Sequence, residues 1–102
     1  MSGIAAVYAT FASHEEAERI GRAMVDAGHA ACVNILGPCR SIYRWQGAVE
    51  QADEVAALFK TATERLDLLM TAIAGMHSYE NPAISAWPVD RAPADYVAWV
   101  KE

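Results

Sequence analysis

His77, Tyr79 and Glu80 crowd into one short segment, and a histidine three residues from a carboxylate can hold a metal ion weakly or orient a ligand by hydrogen bonding. Such a pair is half a site, so further donors would come from elsewhere in the chain or from a neighbouring copy. Tyr43 and Trp45 form a second candidate group. On a strand they share a face with Ser41, while Arg40, Ile42 and Arg44 point the other way. An aromatic pair placed like this anchors an interface or lines a ligand cleft. Cys32 and Cys39 flank Gly37-Pro38; reduced thiols are the expectation for a cytosolic chain, and soft donors for copper(I) are the alternative. No CxxC, HxxxH or HExxH pattern occurs, which argues against a dedicated zinc site. His14 and His29 read as surface residues around the first helix.

The elements that must position these groups are legible from periodicity. Ile4 to Phe11 is a short run rich in β-formers. Ser13-His14-Glu15-Glu16 has the form of a capping box, with Glu16 reaching back to Ser13. Ala17, Ile20, Gly21 and Met24 then make a buried helix face, and Glu15/Arg19, Glu18/Arg22 and Arg22/Asp26 a solvated one. Gly28 supplies the stop. Ala31 to Leu36 predicts a second strand, bent at Gly37-Pro38 and resuming from Cys39 to Trp45. A turn at Gln46-Gly47 returns the chain through Ala48–Gln51 into Glu54 to Lys60, giving one long hairpin. Thr61-Ala62-Thr63-Glu64 is a second capping-box pattern ahead of Leu66, Leu69, Met70 and Ile73. Ala83 to Val89 reads as an edge strand containing Pro88, and Pro93 opens a last short helix with Tyr96, Val97, Trp99 and Val100.

The order β-α-β-β-α-β plus a terminal helix is an α+β, ferredoxin-like sandwich with a long hairpin arm, one domain over residues 1–102. Both helices would lie on one side of an antiparallel sheet. The opposite face should then alternate to polar residues, but strand one is apolar on both sides, and so are Val55 to Phe59 and Ala83 to Trp87. With no element left over to cover that second face, the pattern predicts self-association, sheet against sheet. The 102 residues are 54% hydrophobic, yet 21 are alanine, so the core of a lone subunit is modest. Net charge is −5 without a Lys/Arg cluster, which argues against nucleic acid and anionic membrane as partners. The N-terminal segment has no basic stretch followed by a long apolar run, so the cytoplasm is the expected location.

Five segments carry a family resemblance: Ala30-Ala31-Cys32-Val33-Asn34-Ile35; Ser41-Ile42-Tyr43-Arg44-Trp45-Gln46-Gly47; Glu50 with Glu54-Val55 running into Phe59-Lys60-Thr61; His77-Ser78-Tyr79-Glu80-Asn81-Pro82; and Tyr96-Val97-Ala98-Trp99. In this order, from about Val7 to Val100, the chain resembles the CutA family of divalent-cation tolerance proteins. The resemblance implies a tight homotrimer similar in architecture to the PII signalling proteins, with sheets packed inward and hairpin arms crossing to neighbours. It further implies a non-enzymatic role in divalent-metal response, with no required cofactor but a metal such as copper, or a small ligand, as partner. The intersubunit cleft would contain Tyr43, Trp45, Glu50, Lys60, Tyr79 and Glu80, with His77 as the metal ligand. The copper site of certain bacterial members resembles a cysteine on strand one with a histidine pair. Here those positions hold Ala9 and Met76-His77, so only His77 carries over. Ser78 replaces a proline usual in the family, and Ala83 a common glutamate. The alternatives are a PII-like signalling or scaffold module with no metal role, and a small hydrolase of acylphosphatase type. The hydrolase is disfavoured because Phe11-Ala12-Ser13 leads into the first helix without a Gly-rich phosphate cradle.

Overall fold

A hairpin built from two long strands dominates the molecule. In the computed structural model, which describes residues 2–102, β1 (Ile4–Phe11), α1 (His14–Asp26), β2 (Cys32–Trp45), β3 (Ala48–Ala62), α2 (Leu66–Met76), β4 (Ile84–Val89) and α3 (Ala94–Lys101) follow in that order, with a 3₁₀ turn at Thr63–Arg65 before α2. The strands form one antiparallel sheet in the order β2-β3-β1-β4, the ferredoxin-like arrangement. Gln46 and Gly47, both at positive φ (50° and 84°), make the tight turn joining β2 to β3, as the twist of a two-residue hairpin requires. The arm stretches the molecule to 45 × 25 × 22 Å.

One extra residue in β2 decides which side chains face where. The β2–β3 register slips between Ile35 and Gly37, leaving Leu36 as a bulge. Before it, Val33 and Ile35 point to the helices; after it the parity is inverted, and Cys39, Ser41, Tyr43 and Trp45 join the opposite face. Gly37, at φ 107°, supplies the conformation that absorbs the slip. The strand is continuous through Gly37-Pro38, so the expected break is a bulge within one ladder.

The core lies between the sheet and α1/α2. Val7, Ala9, Phe11, Val55, Ala57 and Phe59 from the strands meet Ala17, Ile20, Met24, Leu69 and Ile73 from the helices. α1 approaches closely because residue 21 is glycine: a Cβ there would lie 3.0 Å from Val33 Cγ1. Ser13 caps α1, its hydroxyl accepting from Glu16 N–H at 3.1 Å. Gly28 ends the helix at φ 77°, with His29 N–H bonded back to Met24 O and Gly28 N–H to Val25 O, the paired bonds of a Schellman stop. On the solvated face of α1, His14 Nε2 lies 3.3 Å from Glu18 Oε2, and none of the expected pairs with Arg19 or Arg22 closes among the described residues.

Two expectations fail at the other end of β3. Lys60 does not end the strand, which runs on to Ala62, and the second capping box does not form. Thr61 is fully buried in the ladder, and its hydroxyl donates to His29 O at 2.7 Å instead. The supposition that no element covers the second sheet face is also corrected. α3 lies on that face, where Tyr96 Oη sits 3.9 Å from Cys32 Sγ and Val100 is buried. It shields the end of the sheet around Ile4, Ala6 and Ala62. Past that, Leu36 and Trp87 remain exposed, and so do Ile42, Tyr43, Trp45 and Val49 of the arm.

Candidate functional site

Glu16, in the first turn of α1, fastens three segments together. The reciprocal half of its capping box goes not to Ser13 but to the residue before it. Oε1 accepts from Ala12 N–H at 3.0 Å, and Oε2 accepts from Ser78 N–H at 2.7 Å, tying the segment after α2 to the β1–α1 junction. Burial alone would raise its pKa. The hydrogen bonds from Ala12 and from Ser78 outweigh that and hold the carboxyl below its ordinary range.

His77 is locked into the same junction. Thr10 O can only accept, so the 2.8 Å contact with Nε2 makes that nitrogen the donor; Tyr79 N–H can only donate, so Nδ1, 3.0 Å away, accepts. The ring is therefore the neutral Nε2–H tautomer. It stacks on Phe11, with centroids 5.0 Å apart and planes 16° from parallel, and the Tyr79 ring lies 4.8 Å away, tilted by 46°. A metal ion at either nitrogen would have to displace one of these bonds. Among the described residues no group of three His, Cys, Asp or Glu side chains is placed to hold a metal ion. Within one chain His77 ties the loop after α2 to the end of β1.

Tyr79 carries the network to the hairpin. Its hydroxyl donates to Glu54 Oε2 at 2.8 Å. Burial, that hydrogen bond and the charges of Glu54, Glu16 and Tyr43 push the phenol up from 10.0 to about 12, so it stays a donor at neutral pH. Glu54 lies on β3 opposite Cys39, on the same sheet face as Tyr43, Glu50 and Trp45. Tyr43 pairs directly with Glu50, and Trp45 with Ala48 at the tip. Tyr43, Glu50, Tyr79 and Glu54 therefore belong to one side of the arm and its root.

Lys60 does not join them within one chain. It pairs with Ala6 and Cys32, ten strand positions from Glu50 or about 33 Å. Glu80 is exposed. Cys32 and Cys39 are free thiols, set on one strand too far apart for a bridge. The sequence reading missed Glu16 as more than a cap and Glu54 as more than part of a motif. The available signal was a carboxylate directly ahead of the apolar run Val55–Phe59, a charge that burial tolerates only with a partner.

This arrangement offers hydrogen-bonding groups that can bind and orient. The sequence matches the CutA1 divalent ion tolerance protein family over residues 5–102. A curated relative, the divalent-cation tolerance protein CutA of Archaeoglobus fulgidus, is 38% identical over 96 residues, spanning 94% of this chain and 93% of that protein. Among solved structures, the periplasmic divalent cation tolerance protein CutA from A. fulgidus superposes with a TM-score of 0.91 at 37% identity, covering 95% of this chain and 94% of that one. The divalent cation tolerance protein from Thermus thermophilus gives 0.92 at 37% identity, covering 96% and 95%. These relatives are named for tolerance of cations and not for a reaction. The A. fulgidus structure, described as periplasmic, overturns the expectation of a cytoplasmic location. No helix among the described residues is long and apolar enough to cross a membrane. Five short motifs in register, a hairpin-armed ferredoxin-like sheet and relatives matched nearly end to end agree on one assignment: the chain belongs to the CutA1 divalent ion tolerance protein family.

Proposed function

We propose that this chain serves divalent-cation tolerance as a homotrimer, holding a divalent cation or a small ligand in a cleft shared between subunits and catalysing no reaction. The observation that carries the reading is the arm. Ile42 and Val49 are 70% and 65% exposed, and Tyr43 and Trp45 also face solvent on a ribbon with no layer against either side. A two-stranded ribbon with apolar side chains on both faces is marginal alone, and burial against a neighbour removes that surface from water. The base of the arm carries the Tyr79–Glu54 bond; Glu50, on the same face nearer the tip, and Glu80 are exposed carboxylates. A neighbour's sheet laid there brings its own Lys60 within reach of these groups, completing the set that one chain leaves scattered. Carboxylates are hard oxygen donors suited to divalent cations, and Tyr79 with Lys60 suits a small polar ligand. A PII-like signalling role without metal is favoured over the family's copper site by one observation, that both nitrogens of His77 are already bonded.

Sedimentation equilibrium at micromolar protein tests the assembly, with a mass three times the 11.1 kDa of one chain expected. Calorimetric titration with copper, zinc and common nucleotides then tests the cleft. Heat that disappears in a Glu50→Gln, Tyr79→Phe double variant supports it. A folded species of 11.1 kDa, or no heat with any of these at millimolar concentration, overturns the proposal.

A further inference from the structure

At the opposite end of the sheet from the arm, a cleft of about 380 Å³ opens between the last turn of α1, the 3₁₀ turn and the end of α3. Val25, Ala30, Trp99 and Val100 give it apolar walls, and Arg65 and Glu102 stand on its polar side. Its floor is apolar: Ala30 and Val100 are buried. Trp99, by contrast, leaves 47% of its surface in solvent, although its other side is stacked on Tyr96 with centroids 6.0 Å apart. An indole held in place by a neighbouring ring and open on the cleft side is a preformed platform for an apolar group. The cleft is separate from the Tyr79 network, since α1 runs from Glu16 at that site to Val25 here, nine residues or about 14 Å of helix.

The charges are the second observation. Arg65 and Glu102 line the same cleft, yet neither forms an ion pair among the described residues. Two opposite charges facing one cavity without neutralising each other match a ligand carrying both signs. The guanidinium is suited to a carboxylate, and the glutamate to an ammonium. The volume is within the range of small-molecule sites. We propose that this cleft binds a small zwitterion with an apolar side group, of the α-amino-acid class, its carboxylate at Arg65, its ammonium at Glu102 and its side group on Trp99. The proposal stands independently of the function proposed above.

The test is a heteronuclear NMR titration of the whole protein with L-phenylalanine, against 3-phenylpropionate, which lacks the ammonium, and phenethylamine, which lacks the carboxylate. Saturable shifts are expected at Val25, Ala31 and Trp99, with each truncated analogue weaker by about tenfold or more. Arg65→Gln should weaken phenylalanine and phenylpropionate but leave phenethylamine unchanged, and Glu102→Gln should weaken phenylalanine and phenethylamine but leave phenylpropionate unchanged. Both substitutions lie at the protein surface, and far-ultraviolet circular dichroism verifies that each variant is folded. Three outcomes overturn the proposal: no shifts at tens of millimolar phenylalanine, equal affinity for all three compounds, or binding indifferent to both substitutions.

Discussion

β3 is a single strand with two contrasting halves. From Val55 to Ala62 it is the second of four strands, with α1 and α2 on one face, α3 on part of the other, and hardly a residue open to solvent. From Ala48 to Asp53 it is the mostly exposed half of a two-stranded ribbon, paired to β2 alone among the strands. The root half is hydrogen-bonded on both edges, to β1 and to β2, whereas the arm half is paired to β2 alone. The number of layers differs as well. The root is held by burial of side chains such as Phe59, whose ring lies 6.5 Å from that of Phe11. The arm has a tight turn and one exposed cross-strand pair, Arg40–Asp53 at 3.3 Å, worth at most about 1 kcal/mol. A segment built this way is stable only when something outside the subunit supplies the missing layers.

Truncation on the two halves should therefore read out differently, and the largest effect belongs to the root. Phe59→Ala removes a fully buried ring from the core and should cost about 3–5 kcal/mol in urea unfolding. Val49→Ala on the arm should change the fold of the subunit by less than about 0.5 kcal/mol, while weakening association as followed by sedimentation. If Val49→Ala leaves the mass unchanged at every concentration, the arm is not an interface, and the contrast reduces to one between core and surface.

The junction between the halves gives a middle-sized effect. Glu16→Ala leaves the N–H groups of Ala12 and Ser78 without their acceptor, and should cost about 2–3 kcal/mol at neutral pH. The pH dependence has a definite sign. The folded carboxyl is held below its ordinary value of 4.5, so its stabilisation is complete above that value and lost as pH falls through the lowered one. The gap between wild type and variant should close in acid. A gap independent of pH would assign the loss to packing, and the junction would behave like the root.

The same division governs how much was legible in the sequence. The core faces of α1 and α2 followed from periodicity because burial is the force that selects those residues. Ser13 and Gly28 were readable because caps act within one turn of chain. Thr61 misled because a threonine three residues before a glutamate fits a cap or a buried strand end, and a tertiary partner, His29 O, decided between them. The face on which α3 lies was invisible for a similar reason: nothing local to Tyr96 or Val100 indicates which side of the sheet they pack on. At the candidate site, Tyr79 and His77 were found by type and spacing. Their partners Glu54 and Thr10 lie 25 and 67 residues away, and those pairings exist only once the sheet has formed.

Tyr79 supplies the smallest and most specific test, because its hydroxyl joins the loop to the boundary between root and arm. An unfolded tyrosine loses its proton near 10.0, whereas the folded one holds it to about 12. Below the first value the contribution to stability is complete. Between the two, the folded state binds a proton that the unfolded state has released, so stability falls as pH rises. The ring is part-exposed, which keeps the energetic effect small, but the titration itself is distinct. In an ultraviolet difference titration, subtracting Tyr79→Phe from wild type should isolate a phenol transition centred about 12. Glu54→Gln should move that transition down, since the charge and the charge-assisted acceptor are both removed. A Tyr79 transition at the ordinary value in wild type would mean that the bond to Glu54 is open in solution. The arm would then begin one residue pair nearer the core, at Val55, with the loop after α2 free of it.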